Sequence, residues 1–364
     1  MELRRHPIKL PGDVDALLPQ APASVADESG QPRFGTYQGG LDAVDLTRLA
    51  EGHRPSLPFR VLKHKRWLYS FIATAEVVAV QAVADLTYTS NAFTLVADLK
   101  EKRILVDEGW LGLPGPLVRV SEKPGAGLDV RFTHAVAELR ASRPSSDERY
   151  HLSARVGPRV PLLKPKLEIQ ASLLAAGAPP PLTVIAPVEG DGTVNVTQKW
   201  AGMLAFGNLW AKGKRFILDG GVGGLDYTHG YLARHTAWRW GFMCGRLADG
   251  SVVGVNLVEG FNETRSDVNE NALWLGGRLY PLGRARFRWN KADPLDRWTV
   301  ETTDGRVQLE FTPIGAHREE RDLRVVKSHF VQPVGLFNGF VEADGQKHVV
   351  KDVPGVTEDQ DILW

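Results

Sequence analysis

Short runs of alternating or continuous apolar residues, each closed by turn residues, recur along almost the whole chain, and they constrain its fold more than any other feature. Residues 67–74, 77–84, 92–99 and 103–107 are such runs, with polar breaks such as Lys100-Glu101-Lys102 between them. The texture continues at 117–120, 128–133, 135–140, 150–156 and 167–171, and it resumes after a break at Pro179-Pro180-Pro181. Ala248-Asp249-Gly250, Thr303-Asp304-Gly305 and Ala343-Asp344-Gly345 read as hairpin turns, because Asp and Gly tolerate the backbone angles that tight turns demand. Helical periodicity is poor. The pattern predicts an all-β chain of antiparallel barrels or sandwiches.

At 364 residues the chain is long for one core. The proline run and the restart of strand patterning place a boundary between Pro179 and Lys199. The expected organisation is an irregular N-terminal extension over 1–55, a first β-domain over 56–198, and a second over 199–364 that carries the candidate site. The extension is rich in proline, glycine and acidic residues, with a short strand expected near 34–37.

Charge narrows the partners. A net charge of +1 with both signs mixed throughout argues against nucleic acid, or any anionic membrane bound through bulk electrostatics. Cys244 is the single cysteine, so an intrachain disulfide is impossible and a Cys-based zinc site is disfavoured. The opening residues lack the unbroken apolar region of a signal peptide, and Glu76, Gln81 and Asp85 interrupt the most apolar run, 71–86. No integral membrane segment is expected, and the cytoplasm is the expected location. Asn195-Val196-Thr197 and Asn262-Glu263-Thr264 match glycosylation acceptors, but no secretion signal accompanies them. Residues 207–214 are one residue too long for a P-loop and Arg215 stands where Ser or Thr is needed; GxGxxG after a strand, HExxH and GxSxG do not occur. No cofactor and no metal are expected, and the sequence sets no oligomeric state.

The densest chemistry lies in 220–244, GGVGGLDYTHGYLARHTAWRWGFMC. The glycines allow tight turns or close backbone approach. Asp226, Tyr227 and His229 can all move protons, and they are the candidate catalytic groups. Trp238, Trp240, Phe242 and Cys244 then alternate, so both indoles should share one strand face with the cysteine in the core. Paired tryptophans more often fill a core than line a cavity, and a buried Asp often caps a turn. Asn256, Glu259, Asn262, Glu270 and Asn271 form a second polar cluster, with Asn256, Glu259 and Asn271 the candidate ligand-binding groups; a hydrogen-bond network at a barrel mouth is the commoner role for such a set. His229 and His235 share strand parity, but Ala233-Arg234 interrupts them and no further metal ligand is well placed. Lys199 reads as a solvated strand lysine.

The segments LDYTHGYLARHTAWRWGF (225–242), LADGSVVGVNLVEGFNE (247–263) and NALW (271–274), with SHFVQPVGLFNGFVEADG (328–345) and GVTEDQDILW (355–364), resemble a bacterial and fungal family known as domain of unknown function (DUF) 2804. More widely, the order of Asp-aromatic, Trp-X-Trp and Asp-Gly is similar to that of carotenoid 1,2-hydratases and related tandem lipocalin-like proteins. That resemblance implies two tandem antiparallel lipocalin-like β-barrels. It implies hydratase or cyclase chemistry on apolar, polyene-like molecules, with Asp226 as proton donor; Tyr227 stands where those relatives often carry His. Such chemistry needs a carboxyl kept protonated by burial, and tryptophan faces to stabilise a cation. Three readings follow: a cofactor-independent hydratase, isomerase or cyclase acting on an apolar small molecule; a non-catalytic carrier or sensor of lipid-like ligands; and a structural protein whose barrels fill themselves.

Overall fold

In a computed structural model of the chain, residues 18–158, 163–190, 192–263, 265–322 and 327–364 are described. Residues 1–17 of the expected extension, and Thr264 of the second glycosylation motif, lie outside them. Two antiparallel sheets make up the molecule, one nearly closed into a barrel and the other open. The first holds β1 (Gly35–Gln38), β2 (His64–Ala73), β3 (Val77–Asp85), β4 (Ser90–Asp98), β5 (Arg103–Gly112), β6 (Val118–Val120), β7 (Leu128–His134), β8 (Ala137–Arg143), β9 (Arg149–Val156), β10 (Leu167–Leu174), β11 (Leu182–Pro187), β12 (Val194–Ala211), β13 (Lys214–Ile217) and β14 (Gly221–Tyr231). The second holds β15 (His235–Arg246), β16 (Val252–Glu259), β17 (Ala272–Leu275), β18 (Arg278–Pro281), β19 (Ala285–Arg288), β20 (Trp298–Thr302), β21 (Val307–Asp322), β22 (Lys327–Ala343) and β23 (Gln346–Leu363). One short helix, α1 (Leu57–Lys63), precedes β2. The expected strand near 34–37 is β1, paired with β11, while Leu41, Val44, Leu46 and Leu49 of the same segment are buried in the first core.

Residue 199 lies inside β12, so the expected 198/199 division does not coincide with the change of sheet. Sheet membership changes instead between Tyr231 and His235. The reason is register: β12 pairs with β14 from Asn195 to Ala205, and β14 pairs with β2 from Val222 to Tyr231. The strand carrying Asp226 is thereby locked into the middle of the first sheet.

Strand periodicity explains how the sheets meet. In β15, Trp240, Phe242 and Cys244 point to one core, shared with Tyr69, Phe71 and Val80 of the first sheet. Met243, of opposite parity, joins a separate core formed by the second sheet. β14 behaves likewise: Leu225 and Tyr227 enter the first sheet's own core, and Val222 faces the second sheet. The contact between sheets is close, with Phe71 and Phe242 ring centres 5.4 Å apart.

Gly224 makes that approach possible. A Cβ there would lie 2.2 Å from the Trp200 carbonyl oxygen and 2.5 Å from Phe242 Cζ. Gly224→Ala should therefore lower unfolding free energy by about 1–3 kcal/mol through overpacking. Urea denaturation checks this, and an unchanged midpoint would mean that the two sheets separate without cost at this point.

Candidate active site

The interface between the sheets is not completely filled. A cavity of about 400 Å³ opens between β2, β3, β4, β12 and β14 on one side and β15, β22 and β23 on the other. Its walls are largely apolar and include Trp67, Tyr69, Phe93, Trp238, Trp240 and Phe330. Trp67 and Trp238 lie nearly parallel, 6.2 Å between ring centres. Lys199, Asp226, Glu270 and Glu358 form a charged group among the lining residues.

Cross-strand pairing builds that polar group. Lys199 on β12 sits directly opposite Asp226 on β14, and their side chains meet with Nζ 2.6 Å from Oδ2. Glu270, just before β17, lies 3.2 Å from the same ammonium through Oε2. Its other oxygen accepts from the Asn262 amide, and Asn262 in turn accepts from Asn195 at 3.3 Å. On β23, Glu358 accepts from Trp238 Nε1 at 2.6 Å and from Gln332 Nε2 at 2.7 Å. Tyr69 donates to Gln332 at 3.2 Å. Asp226 Oδ1 is buried and has no hydrogen-bond partner, and the same holds for Asn195 Oδ1 and Asn271 Nδ2 in this polar group. A buried acceptor left unmade typically costs about 1–3 kcal/mol.

Burial dominates the electrostatics. It raises the Asp226 carboxyl above the ordinary Asp range, although the Lys199 ammonium opposes the shift. The Lys199 ammonium holds its proton more firmly than usual: burial alone would weaken it, but Asp226 and Glu270 together outweigh that effect. Glu358 is pushed up to about 7, first by burial and further by the Asp226 charge, against its two donors. The site thus combines an ion pair with a carboxyl that titrates near neutrality.

Asp226, Trp238 and Trp240 line one space, but that space lies between the sheets and not inside a second barrel. Tyr227 and His229 do not join them. They have the opposite strand parity and turn to the far side of β14, where Tyr227 donates to the Ser121 carbonyl at 2.8 Å and lies 3.2 Å from His229 Nδ1. His229 also lies 2.8 Å from His64 through Nε2, and burial drives its pKa well below the usual value. A role for either in proton transfer with Asp226 would have to cross the sheet. His235 is exposed beside Asp361, at 2.8 Å, so it shares no face with His229.

The second polar cluster supports the walls. Asn256 accepts from Trp240 Nε1 at 2.8 Å and donates to the Glu270 carbonyl at 2.8 Å, which fixes the indole. Asn271 accepts from the Val258 amide at 2.6 Å. Glu259 turns to β19, accepting from the Phe287 amide at 3.0 Å. Of this cluster Glu270 lines the cavity, and Asn256, Glu259 and Asn271 do not. Lys199 is buried rather than solvated; the warning sign was a charge inside a strand otherwise fully buried from Val194 to Met203. Glu358 was hidden in the acidic run TED, where only the pairing of Trp240 with Glu358 selects the inward carboxylate. Cys244 is buried, its thiol pushed up to about 12 by burial, as a core thiol should be.

A family model described as "Domain of unknown function (DUF2804)" matches residues 18–364. Among solved structures the chain is similar to a Nitrosomonas europaea protein described as an AttH, with a TM-score of 0.50 at 13% identity, covering 86% of this chain and 98% of that one. It is also similar to kievitone hydratase from Nectria haematococca (TM-score 0.44, 11% identity, 96% and 98% covered). A third similarity is to CghA in complex with Sch210972 (TM-score 0.47, 12% identity, 82% and 88% covered). At such identities the likeness to the Nitrosomonas protein is one of fold alone. No match was found among curated proteins.

Glu358 gives the site a pH signature. Its folded pKa, about 7, lies above the ordinary 4.5, so the folded state binds the extra proton between those values. The contribution to stability is whole below the lower value and is lost as pH rises through the upper one. It amounts to about 3 kcal/mol. Urea unfolding on either side of that window should show the loss in the wild type, and Glu358→Gln should flatten it. An identical pH slope in both proteins would remove Glu358 as the titrating group.

Proposed function

The chain belongs to the DUF2804 family, and we propose that it is a cofactor-independent acid–base enzyme, a hydratase, isomerase or cyclase, acting on an apolar small molecule held between its two sheets. The observation that carries this reading is the unpartnered Asp226 Oδ1 beside apolar walls. Cavities of this size and lining, with few convergent polar groups, are the usual form of small-molecule sites.

The chemistry follows from the residues. In a hydration, Asp226, ionised beside Lys199 at rest but biased by burial toward its protonated form, takes up a proton on Oδ1 and gives it to an alkene carbon of the ligand. The resulting cation is stabilised by the faces of Trp238 and Trp240. Water adds at the cationic carbon, and its surplus proton returns to the carboxylate, so the sum is addition of one water. In an isomerisation the same oxygen removes a proton from one carbon and returns it to another. Lys199 holds the carboxyl in place through Oδ2 and leaves Oδ1 for the ligand. A carrier of lipid-like molecules would use the same walls, but it would have no need of a buried carboxyl oxygen without a hydrogen-bond partner.

Asp226→Asn separates the two readings. Asn keeps the shape of the side chain and cannot deliver a proton to carbon. We expect the variant to bind cis-parinaric acid, a fluorescent polyene, as the wild type does, read by energy transfer from the cavity tryptophans. Turnover of the compound extracted from the purified wild-type protein should fall by roughly a hundredfold to ten-thousandfold. Unchanged turnover with a lowered melting temperature would make Asp226 a structural residue and end the enzymatic reading.

A further inference from the structure

The two faces of the intersheet cavity are ladders that run across the strands, and their registers give its long axis. On the first sheet Asp226 of β14 stands opposite Tyr69 of β2, Tyr69 opposite Ala82 of β3, Ala82 opposite Phe93 of β4, and Phe93 opposite Gly109 of β5. On the second, Trp238 of β15 pairs with Gln360 of β23, Gln360 with Phe330 of β22, and Phe330 with Glu319 of β21. Paired residues point to the same side of a sheet, so each ladder presents one row to the cavity. The steps from Asp226 to Phe93 cross three strand spacings, or about 14 Å. The small side chain of Ala82 leaves the middle of that floor low, and it lines the cavity.

The end away from Asp226 is polar again. Asn91, two residues before Phe93 on β4, and Glu319 both line the cavity there. Asn91 Nδ2 donates to Glu319 Oε2 at 2.9 Å, and Arg321 lies 2.9 Å from the same oxygen. His317 stacks on Phe93, ring centres 4.5 Å apart, with Nδ1 2.5 Å from Asp107 and Nε2 3.4 Å from Glu319 Oε1. Gly109 makes room for them: a Cβ there would lie 2.8 Å from Glu319 Oε1 and 3.1 Å from His317 Cε1. Burial would raise the Glu319 carboxyl, but His317, Arg321 and Asn91 hold it below the ordinary Glu range. The two carboxylates and two cations of this group therefore balance. What stays open is Asn91 Oδ1, buried and without a hydrogen-bond partner, and Glu319 Oε1 makes no hydrogen bond either. Both are acceptors, and acceptors in a group of balanced charge call for a neutral donor.

We propose that Asn91 and Glu319 form a hydroxyl-binding subsite, and that the ligand is an elongated apolar molecule with a neutral hydroxyl at the end away from Asp226. The hydroxyl donates to Asn91 Oδ1 or Glu319 Oε1, the apolar body lies over Ala82 and under Phe330, and the other end reaches Asp226. A carboxylate at the far end would meet spare acceptors and no spare donor. An ammonium would upset a balanced set of charges. The proposal rests on the functional reading for one point alone, that the end of the ligand at Asp226 is the one that reacts.

The test is titration calorimetry of the full chain with decan-1-ol and with its isomer 1-methoxynonane, which has the same atoms and no hydrogen-bond donor. We expect the alcohol to bind roughly tenfold more tightly, the worth of one buried hydrogen bond to an ionic group. Asn91→Leu, which keeps the side chain's shape and removes its acceptor, should erase most of that difference and leave the ether's affinity in place. Ala82→Leu, which raises the floor between the two ends, should weaken both compounds at least tenfold. If Asn91→Leu does not fold, the wild-type preference and Ala82→Leu carry the test together. Equal affinity of the two isomers, no binding of either, a preference that survives Asn91→Leu, or binding indifferent to Ala82→Leu overturns the proposal. These titrations read binding alone, so they stand or fall separately from turnover at Asp226.

Discussion

The burial of Lys199 between Asp226 and Glu270 is the interaction on which the geometry of the intersheet site depends. Stripping water from an ammonium and two carboxylates is expensive, and such a cluster survives only where partners are held at close range. Removing one partner from a buried pair typically costs about 3–5 kcal/mol, so the three groups hold one another in place. They join β12, β14 and the segment before β17, and so tie the middle of the first sheet to the second. The cluster also explains why the interface has a polar end: apolar side chains cannot fill the space beside it without leaving charges unpaired. Among the atoms that remain without a hydrogen-bond partner, which include Asn195 Oδ1 and Asn271 Nδ2, Asp226 Oδ1 is the one that belongs to a carboxyl lining the cavity beside its apolar walls.

Around that cluster the architecture is set by the two faces of each strand. β14 puts Asp226 toward the second sheet and its neighbours Tyr227 and His229 into the first, so adjacent residues in sequence serve different spaces. β23 does the same with an acidic run: Glu358 turns inward to Trp238 and Gln332, while Asp361 lies exposed beside His235. The tryptophans are held from behind, Trp240 by Asn256 and Trp238 by Glu358. The walls are therefore positioned before any ligand arrives.

Much of this was legible in residue order. The strands expected at 67–74, 77–84, 92–99 and 103–107 correspond to β2 to β5, because alternation and turn residues act locally. The common face of Trp238 and Trp240 followed from period two alone. The separation of Tyr227 and His229 from Asp226 was available from the same rule. The partnership of Lys199 with Asp226 was not, since it depends on a register set across 27 residues, counted from the two positions. Nor could the sequence choose Glu358 from its acidic run, because the choice is made by pairing with β15. The location of the cavity between the sheets was equally hidden, since it arises from which outer faces pack together and not from any one strand's pattern.

A high-resolution crystal structure of the protein as purified from cells, solved without added ligand, would test the central claim most directly. The account predicts density for a largely apolar molecule between Trp67 and Trp238, with a reactive carbon or a polar atom in contact with Asp226 Oδ1. A cavity closed by the protein's own side chains, or an Oδ1 satisfied only by an ordered water in an otherwise empty space, would contradict it.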